Sequence, residues 1–418
     1  MSKLAETQLG THRDVFVLAT LDTKGHEAAF VRDLLAGYGV GVQLVDVGCL
    51  HPPAVRGNVD RQEVFAAVGE DAAKLAEAGD RGAAVSAAAR GAAAWIAQAH
   101  ARDTVAGVLA LGGSAGTTIG SAAMRALPVG IPKLLVSTLA SGQVRHYVGD
   151  KDVLMLNSIA DISGLNRLTR EVLGEAARAM AGMVLFEKGA AAEESRPLVT
   201  ATMFGVTTAC VEAAKTVLEA AGYEVLVFHA TGSGGQAMES LVREGLVEGV
   251  LDITTTELAD ELVGGVLSAG PQRLTAAAEC GVPQVVSVGA TDMVNFHGLG
   301  SVPDRFRERT FYEHNPNVTL MRTTHAECAA IGAEIARKLS AAKGPVSVLL
   351  PSQGVSALDR QGQPFDDPAA RQALFAALRA GGPELDIREL DAHINDPAFA
   401  RALAERLVEL MHAHASQP

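Results

Sequence analysis

Two stretches of this 418-residue chain repeat the same order of short apolar segments and small, polar turns. The sequence GVLALGGSAGT at 107–117 corresponds to GVLDITTTEL at 249–258, and IPKLLVSTLASG at 131–142 corresponds to VPQVVSVGATDM at 282–293. Because order and spacing agree, the repeat predicts two related halves, each with the same fold.

Each half has the pattern of a parallel β-sheet. In the first half, an apolar run at 15–19 is followed by an amphipathic segment at 26–37 and a second apolar run at 41–47, which is the strand–helix–strand pattern. Only 4% of the residues are aromatic and 43 are glycine, which suits helices packed closely on parallel strands. The predicted fold class is α/β, with two related Rossmann-like, doubly wound parallel-sheet domains and a cleft between them. The other predicted strands are 105–111, 133–136, 198–203, 223–228, 249–253, 284–288, 346–350 and 386–390.

A small, charged segment that ends in Pro197 separates the two halves. Such a composition is typical of an exposed linker between domains. We therefore predict a nucleotide-binding domain at 1–188, a linker at 189–197, and a second domain at 198–418 for the substrate or partner.

Composition and charge exclude several classes of protein. The formal net charge of −13 argues against non-specific binding of nucleic acid, which needs a basic surface. The four cysteines form no CxxC pair, so no zinc site is expected, and free thiols suit a reducing compartment. The first 14 residues lack the apolar core of a signal peptide, and the longest uncharged stretch, 104–124, is broken by Gly, Ser and Thr. We expect a cytoplasmic protein that does not enter a membrane.

The most informative motif is a glycine-rich turn at 112–117, between a predicted strand and a predicted helix. In open parallel sheets, ligands bind beyond the carboxyl ends of the strands, where this turn lies. Glycine lets backbone N–H groups approach an anion, and the helix dipole favours negative charge there. The turn is neither a Walker A motif nor GxGxxG, so a tight turn without a ligand is the alternative. The candidate contacts are Gly112, Gly113, Ser114, Gly116 and Thr117.

Three further segments of the first half also follow predicted strands. Lys24 can reach a phosphate and Asp22 can hold a metal ion, although capping of the next helix explains Asp22 or Thr23 equally well. Asp46 ends the second strand, where an acidic residue often accepts ribose hydroxyl groups; an exposed strand-end carboxylate is the alternative. The candidate contacts here are Thr20, Asp22, Thr23, Lys24, Asp46, Thr138, Ser141 and Gly142.

The second half carries candidates for binding a small anionic substrate. A second glycine-rich turn at 231–235 follows a strand and precedes a helix, so the physics of the first turn applies to it. Arginine, histidine and aspartate are frequent after the later strands, including a polar loop at 305–315, although ordinary surface charge explains any one of them. The expected substrate contacts are Thr231, Gly232, Ser233, Gly234, Gly235, Asn295, Arg322 and Gly354. The candidates for acid–base catalysis are Asp292, His297 and His314.

Longer motifs resemble those of a known family. They include LATLDTKGHE, LALGGSAGTT and VSTLASGQVRHYVGD in the first half, and HATGSGG, DITTTEL, GATDMVNF, YEHNPNVTLMRTT and LLPSQGVSALDRQGQPFDDP in the second. Over nearly its whole length the chain is similar to the Tm-one-like ATP-binding family, which includes the tomato tobamovirus-resistance protein and uncharacterised bacterial relatives. The resemblance implies two Rossmann-like subdomains, dimers, and ATP bound by the first subdomain through 20–24, 112–117 and 137–142.

These features predict an ATP-binding protein, and an enzyme is the first hypothesis. ATP with Mg²⁺ would lie on the first half, with Asp22 at the metal, and a small anionic metabolite would face it from the second half. ATP hydrolysis or phosphoryl transfer is the expected reaction class, because it needs mainly positioning and charge neutralisation. A regulatory protein that binds nucleotide without turnover is the second hypothesis, and a nucleotide-independent lyase or isomerase is the third. We also expect a homodimer or higher homo-oligomer.

Overall fold

The computed structural model describes residues 13–186 and 196–416. By its internal contacts the chain divides into two compact units, Met1–Ala191 (unit 1) and Ala192–Pro418 (unit 2). Most of the predicted linker, 189–197, lies outside the described residues. Each unit contains its own parallel sheet.

Unit 1 is a doubly wound domain around a five-stranded parallel sheet. Its strand order is β2-β1-β3-β4-β5, so the topological switch point lies between β1 and β3. The strands are β1 (Asp14–Ala19), β2 (Val42–Asp46), β3 (Val105–Gly112), β4 (Lys133–Ser137) and β5 (Leu154–Asn157). The helices are α1 (Leu21–Gly37), α2 (Arg61–Ala66), α3 (Ala72–Ala78), α4 (Arg81–Ala101), α5 (Ser114–Arg125), α6 (Arg145–Val148) and α7 (Arg167–Leu185).

Side chains of the unit 1 strands alternate between two apolar layers. Phe16 and Leu18 of β1 pack with α2, α4 and α5 on one face of the sheet, whereas Val15 and Val17 pack with α1 and α7 on the other. Both faces are covered, which explains why the strands are apolar throughout. This packing fixes the turns that follow β1 and β3 at the switch point.

Unit 2 repeats this strand order. Its parallel sheet runs β7-β6-β8-β9-β13-β14, which corresponds to unit 1 strand for strand with β14 added. The prediction of two related, doubly wound α/β halves is therefore confirmed. The strands are β6 (Leu198–Met203), β7 (Glu224–His229), β8 (Gly249–Thr254), β9 (Gln284–Gly289), β10 (Met293–Phe296), β11 (Phe311–Asn315), β12 (Val318–Arg322), β13 (Val346–Pro351) and β14 (Asp386–Leu390). The helices are α8 (Thr208–Ala220), α9 (Ser233–Arg243), α10 (Thr256–Val263), α11 (Ala276–Cys280), α12 (His325–Leu339), α13 (Pro368–Gly381) and α14 (Pro397–Ala415).

A three-stranded antiparallel sheet is inserted between β9 and β13, which the sequence did not predict. Its order is β10-β12-β11. The segment expected to be a polar loop at 305–315 ends in strand β11, most of whose side chains are exposed. Strand β5 was not predicted from the sequence either, and two of its four residues are exposed. Both strands bury too little apolar surface to give a clear alternating pattern.

None of the helices within 13–186 and 196–416 has the length and apolarity needed to cross a membrane. All four cysteines are free thiols, and Cys280 is the exposed one. Burial raises the pKa of the Cys210 thiol to about 12, so this thiol stays protonated and unreactive near neutral pH.

Candidate functional site

The first glycine-rich turn joins β3 to α5 at the switch point of unit 1. A methyl group at Gly112 would lie only 2.8 Å from the Cα atom of Gly116, so close packing of strand and helix accounts for these two glycines. Gly113 is different. Apart from its chain neighbours, the nearest atom to a methyl group there would be the Thr138 hydroxyl oxygen, at 3.8 Å. Gly113 therefore borders open space that a ligand can enter.

Helix α5 starts at this turn without a side-chain cap. Thr117 donates the first backbone hydrogen bond of the helix, to the carbonyl oxygen of Gly113 (2.8 Å). Among the unit 1 helices longer than one turn, the two without a side-chain cap are α1 and α5, which start on either side of the switch point. The first N–H groups of α5 are thus available to an anion. In α1, by contrast, the N–H of Leu21 already donates to Oδ1 of Asp46 (3.2 Å). The side-chain caps of α2, α3, α4 and α7 are Asp60, Asp71, Asp80 and Asn166.

The end of β4 supports the turn. The hydroxyl groups of Thr117 and Ser137 lie 2.6 Å apart, and both residues are buried. Thr138 donates its backbone N–H to the carbonyl oxygen of Gly112 (3.3 Å). Thr117 therefore stabilises the turn from the buried side. The exposed members of the predicted contact set are Thr23, Ser114, Ser141 and Gly142.

The turn after β1 is held by its own contacts. The Oγ1 atoms of Thr20 and Thr23 lie 2.8 Å apart, and the Thr20 carbonyl oxygen accepts the backbone N–H of Lys24 (2.7 Å). The Lys24 ammonium donates to the carbonyl oxygen of Ile162, in the loop after β5. A phosphate bound by Lys24 would have to replace that carbonyl.

Asp22 does not cap α1, although capping explained it equally well from the sequence. Its Oδ2 atom accepts the backbone N–H groups of Leu50 and His51 at 3.3 Å each. Its Oδ1 atom and the Nη2 atom of Arg61 are buried and have no hydrogen-bond partner in the described part of the chain. Both atoms border Gly48, at 2.9 and 2.5 Å from the position of a methyl group there. Arg61, which no motif singled out, thus joins Asp22 at this edge of the sheet.

The structure gives Asp46 a different role from the predicted contact with a ribose. The residue is 2% exposed. Its Oδ1 atom accepts the N–H groups of Leu21 (3.2 Å) and Gly48 (2.8 Å), and its Oδ2 atom pairs with Nε of Arg61 (2.7 Å). The carboxylate fastens the loop after β2 to the start of α1 and is not open to a ligand.

The second glycine-rich turn holds an anion that belongs to the protein itself. The N–H groups of Gly232 and Gly235 donate to Oε1 of Glu257, at 2.7 and 3.1 Å, and Glu257 is fully buried. Burial raises the pKa of Glu257, while Arg273 opposes the rise. A substrate would have to displace Glu257 before it contacts these amides, and the expected contact stays a prediction. The same turn contains Thr231, Ser233 and Gly234.

Glu257 belongs to a buried cluster around Arg273. The Arg273 side chain has no exposed surface, and it contacts Asp252 through Nη2 at 2.7 Å, Glu257 through Nε at 2.6 Å and Glu239 through Nη1 at 3.4 Å. Although burial lowers the pKa of Arg273, the three carboxylates raise it well above its ordinary value. One cation thus joins β8, α9 and α10, which makes this cluster structural.

Asp292, a predicted acid or base, is buried (1% exposed). Its Oδ2 atom accepts the Ser356 hydroxyl at 2.8 Å, and its Oδ1 atom has no partner among the described residues. Burial and the charge of Asp359 raise the pKa of Asp292 to about 7, against the influence of Arg322. That pKa suits proton transfer near neutral pH, but the group is closed off from solvent.

The two predicted catalytic histidines are not assembled with Asp292. His297 follows β10 and His314 lies in β11, and both are exposed. Within the described ranges, neither histidine forms a hydrogen bond with Asp292. The side chain of Asp292 is bonded to the Ser356 hydroxyl instead. The structure therefore does not form the acid–base group that the sequence predicted.

Three residues predicted to contact a substrate are part of the internal structure of unit 2; they are Arg322, Gly354 and Asn295. Nη2 of Arg322 lies 3.6 Å from Oδ1 of Asp359, and both side chains are buried. Gly354 has a φ of +132°, which side chains rarely allow. Asn295 donates its Nδ2 to Oδ2 of Asp260 (2.6 Å), whose pKa burial raises to about 7. The guanidinium of Arg322 and the Nδ2 group of Asn295 are thus engaged within unit 2, and contact of these residues with a substrate stays a prediction.

No group of three or more His, Cys, Asp or Glu side chains within the described ranges is arranged to hold a metal ion. Mg²⁺ that accompanies a nucleotide often takes only one or two carboxylates and fills its other positions with phosphate and water. The unpartnered Oδ1 of Asp22 is a carboxylate oxygen of this kind, but it is buried and borders Gly48 together with Nη2 of Arg61.

Both units match one family. Residues 13–189 match the N-terminal domain of the uncharacterised protein family UPF0261, and 196–411 match its C-terminal domain. A UPF0261 protein from Clostridium tetani (strain Massachusetts / E88) is 48% identical over 96% of this chain and 99% of its own length. One from Mesorhizobium japonicum is 46% identical over 93% of this chain and 97% of its own. The chain belongs to the UPF0261 family.

A plant relative is also similar. The ToMV resistance protein Tm-1(GCR237) of Solanum lycopersicum is 42% identical over 95% of this chain, which spans 55% of the tomato protein. The predicted kinship with the tomato protein is confirmed, and ATP binding stays a prediction. Among solved structures, glycosyltransferase SsfS6 from Streptomyces sp. SF2575 is 12% identical over 96% of both chains, with a TM-score of 0.17, too low to indicate a shared fold.

Proposed function

We propose that this member of the UPF0261 family binds ATP through unit 1, with the phosphates at the start of α5. The observation that carries the proposal is the uncapped start of α5 at the switch point, where doubly wound sheets bind ligands. The first N–H groups of α5 and its dipole favour an anion there. Ser114, the first residue of α5, adds an exposed hydroxyl group.

The contrast between the two glycine-rich turns supports unit 1 over unit 2. Both turns follow a strand and start a helix. At Gly232 and Gly235 the position of the anion is filled by Glu257, whereas no side chain caps the turn at Gly113. The internal carboxylate supports the view that such a turn accommodates an oxyanion.

Neighbouring residues would complete the site. The Thr138 hydroxyl is the nearest side-chain group to the open face of Gly113. Lys24 would exchange the carbonyl of Ile162 for a phosphate. Asp22 would hold Mg²⁺ through its unpartnered Oδ1, which is buried and would first have to become accessible. These cations would neutralise part of the phosphate charge.

ATP hydrolysis, or phosphoryl transfer to a small anionic metabolite, is the enzymatic form of this proposal. A nucleotide-gated protein without turnover is the alternative. Two features of unit 2 favour the alternative without turnover. Asp292 is buried and the turn at Gly232 is occupied by Glu257, so neither offers a reactive group to a substrate. Steady-state ATP turnover by the pure protein, lost in Asp22→Ala, would contradict this alternative. The homodimer likewise stays a prediction.

ATP with Mg²⁺ is expected to raise the Tm of the parent protein, and Gly113→Val is expected to abolish the rise. A ligand that binds only the folded state stabilises it by about 2.7 kcal/mol at a hundredfold excess over Kd. The nearest neighbouring atom to a β-carbon at Gly113 would be the Thr138 hydroxyl oxygen at 3.8 Å, an ordinary contact, so the variant should fold while its side chain fills the space in front of α5. Differential scanning fluorimetry across a series of ATP concentrations measures the effect.

Gly205→Val is the matched control. Gly205 lies in the turn after β6 of unit 2, the counterpart of the turn after β1, and a methyl group there would meet no neighbouring atom within 4 Å. This variant should keep the full ATP-dependent rise. An equal rise in Gly113→Val would contradict the proposed position of the phosphates, and no rise in the parent at millimolar ATP would contradict ATP binding.

A further inference from the structure

The loop after β5 carries an exposed apolar residue in a strained backbone conformation. Ile159 has a φ of +64°, in the left-handed region that β-branched residues rarely adopt. Its side chain is 71% exposed. Strain of this kind persists only where the surrounding structure imposes it, and it is concentrated at ligand sites.

The other positive-φ residues that carry a side chain have a structural context. Within the described ranges these are Asp103, Leu274 and Ala290. Asp103 pairs with Arg13, Leu274 donates its N–H to Glu239 in the buried cluster of unit 2, and Ala290 is fully buried. Ile159 donates its N–H to Oδ1 of Asn157 (3.2 Å), and the N–H of Ala160 closes a turn across it to the carbonyl oxygen of Ser158 (2.7 Å). It is the β-branched member of the group, and burial of its side chain does not offset the strain.

The loop that holds Ile159 is fastened to its neighbours on two sides. Ser158 donates its backbone N–H to the carbonyl oxygen of Ser137, at the end of β4 (3.2 Å). Gly164 donates its N–H to Oε1 of Glu27, in α1 (2.6 Å). These bonds fix the loop at both ends, so the isoleucine side chain is presented to solvent at a defined place.

That place lies at the same edge of the sheet as the proposed phosphate site. Ser137, which accepts from Ser158, also meets the hydroxyl of Thr117 in the first glycine-rich turn (2.6 Å). Strand β5 is two strands away from β3. At the usual strand spacing this is about 10 Å, a distance that a nucleotide covers between its phosphates and its base.

We infer that Ile159 is the apolar surface on which the heterocyclic base of the bound nucleotide packs. The inference rests on the proposed function, because it takes the phosphates to lie at the start of α5. A heterocyclic ring buries apolar surface against an aliphatic side chain. Because the loop is already fastened, little conformational freedom is lost on binding.

The test compares the affinities of ATP and inorganic tripolyphosphate for the full chain by isothermal titration calorimetry. In Ile159→Ala the Kd of ATP should rise about tenfold, as loss of one aliphatic contact predicts, while the Kd of tripolyphosphate stays unchanged. Ile159→Val should bind ATP like the parent. Leu154→Ala is the matched control, because Leu154 is 54% exposed at the start of β5, the end of that strand away from the loop, and it should change neither affinity.

A second readout separates the role in binding from a purely structural one. Glycine adopts positive φ without strain, so ligand-free Ile159→Gly should melt about 2–4 °C above Ile159→Ala, although both bind ATP weakly. The opposite order of the two melting temperatures would overturn the assignment of strain to Ile159.

The titrations distinguish failure of this inference from failure of the proposed function. Parental ATP affinity in Ile159→Ala overturns the inference and leaves the proposed function standing. Equal losses for ATP and tripolyphosphate also overturn it, because they indicate a disturbed phosphate site. Absence of binding of both ligands to the parent overturns the proposed function, and the inference with it.

Discussion

Replacement of Arg273 by methionine is expected to lower the free energy of unfolding of unit 2 by about 4 kcal/mol or more. Methionine keeps most of the side-chain volume but removes the one cation that Asp252 and Glu257, both fully buried, share. Uncompensated buried carboxylates then destabilise the fold. Urea titration followed by circular dichroism measures the loss.

The loss of unfolding free energy in Arg273→Met should also depend on pH. Burial raises the pKa of Glu257 and Arg273 opposes the rise, so this pKa is higher still in Arg273→Met. A carboxyl group whose folded-state pKa is raised contributes stability that is present at low pH and is lost as the pH rises. The difference in unfolding free energy between Arg273→Met and the parent should therefore be smaller at pH 5 than at pH 7.5.

Arg243→Met is the matched control for this prediction. Arg243 also contacts Glu239, at 3.4 Å, but its side chain is 38% exposed. Because water screens an exposed pair, the loss should be below about 1 kcal/mol. Equal losses in Arg243→Met and Arg273→Met would show that burial of the Arg273 charge is not what matters.

Asp359→Asn is the second change with a large expected effect, about 3 kcal/mol or more of unfolding free energy. Asp359 is fully buried, and its Oδ1 atom pairs with Nη1 of Arg371 at 2.8 Å and lies 3.6 Å from Nη2 of Arg322. Its Oδ2 atom accepts the N–H of Val355 at 3.0 Å. An amide keeps the shape but leaves two buried guanidinium groups without this charge. Thermal and urea unfolding both report the loss.

Asp292→Asn, in the same network, is the control for Asp359→Asn. Burial and the charge of Asp359 raise the pKa of Asp292 to about 7, so the ionised carboxylate is disfavoured there. An amide at this position should cost less than about 1 kcal/mol at neutral pH, and it should cost least, or even stabilise, as the pH rises above 7. A loss as large as that of Asp359→Asn would contradict this distinction between the two carboxylates.

The fold could be predicted because it is built from patterns that are local in sequence. Strand β6 and strand β14 have the bounds that their apolar runs predicted, and the internal repeat predicted the shared strand order. Strand β11 could not be predicted, because its side chains from Tyr312 to Asn315 are exposed and give no alternation. Its partner, β12, supplies the buried residues of that sheet.

The candidate site was only partly predictable, because the competitors for each group are distant in sequence. Nothing near Gly232 indicates that Glu257, 25 residues later, fills its turn. Arg61 lies 15 residues beyond Asp46, and its pairing with that carboxylate depends on how the loop after β2 folds. The rule that ligands bind beyond the ends of parallel strands identified where polar groups lie. The three-dimensional contacts decide which of these groups stay open to a ligand.

The most direct measurement of ATP binding at the first glycine-rich turn is the change in backbone amide chemical shifts as ATP and Mg²⁺ are added. If ATP binds as proposed, the amides of Gly113 and Ser114 shift and saturate, while those of Gly232 and Gly235 keep the shifts set by their bonds to Glu257. Saturating shifts at Gly232 and Gly235, with none at Gly113 and Ser114, would contradict the proposed site.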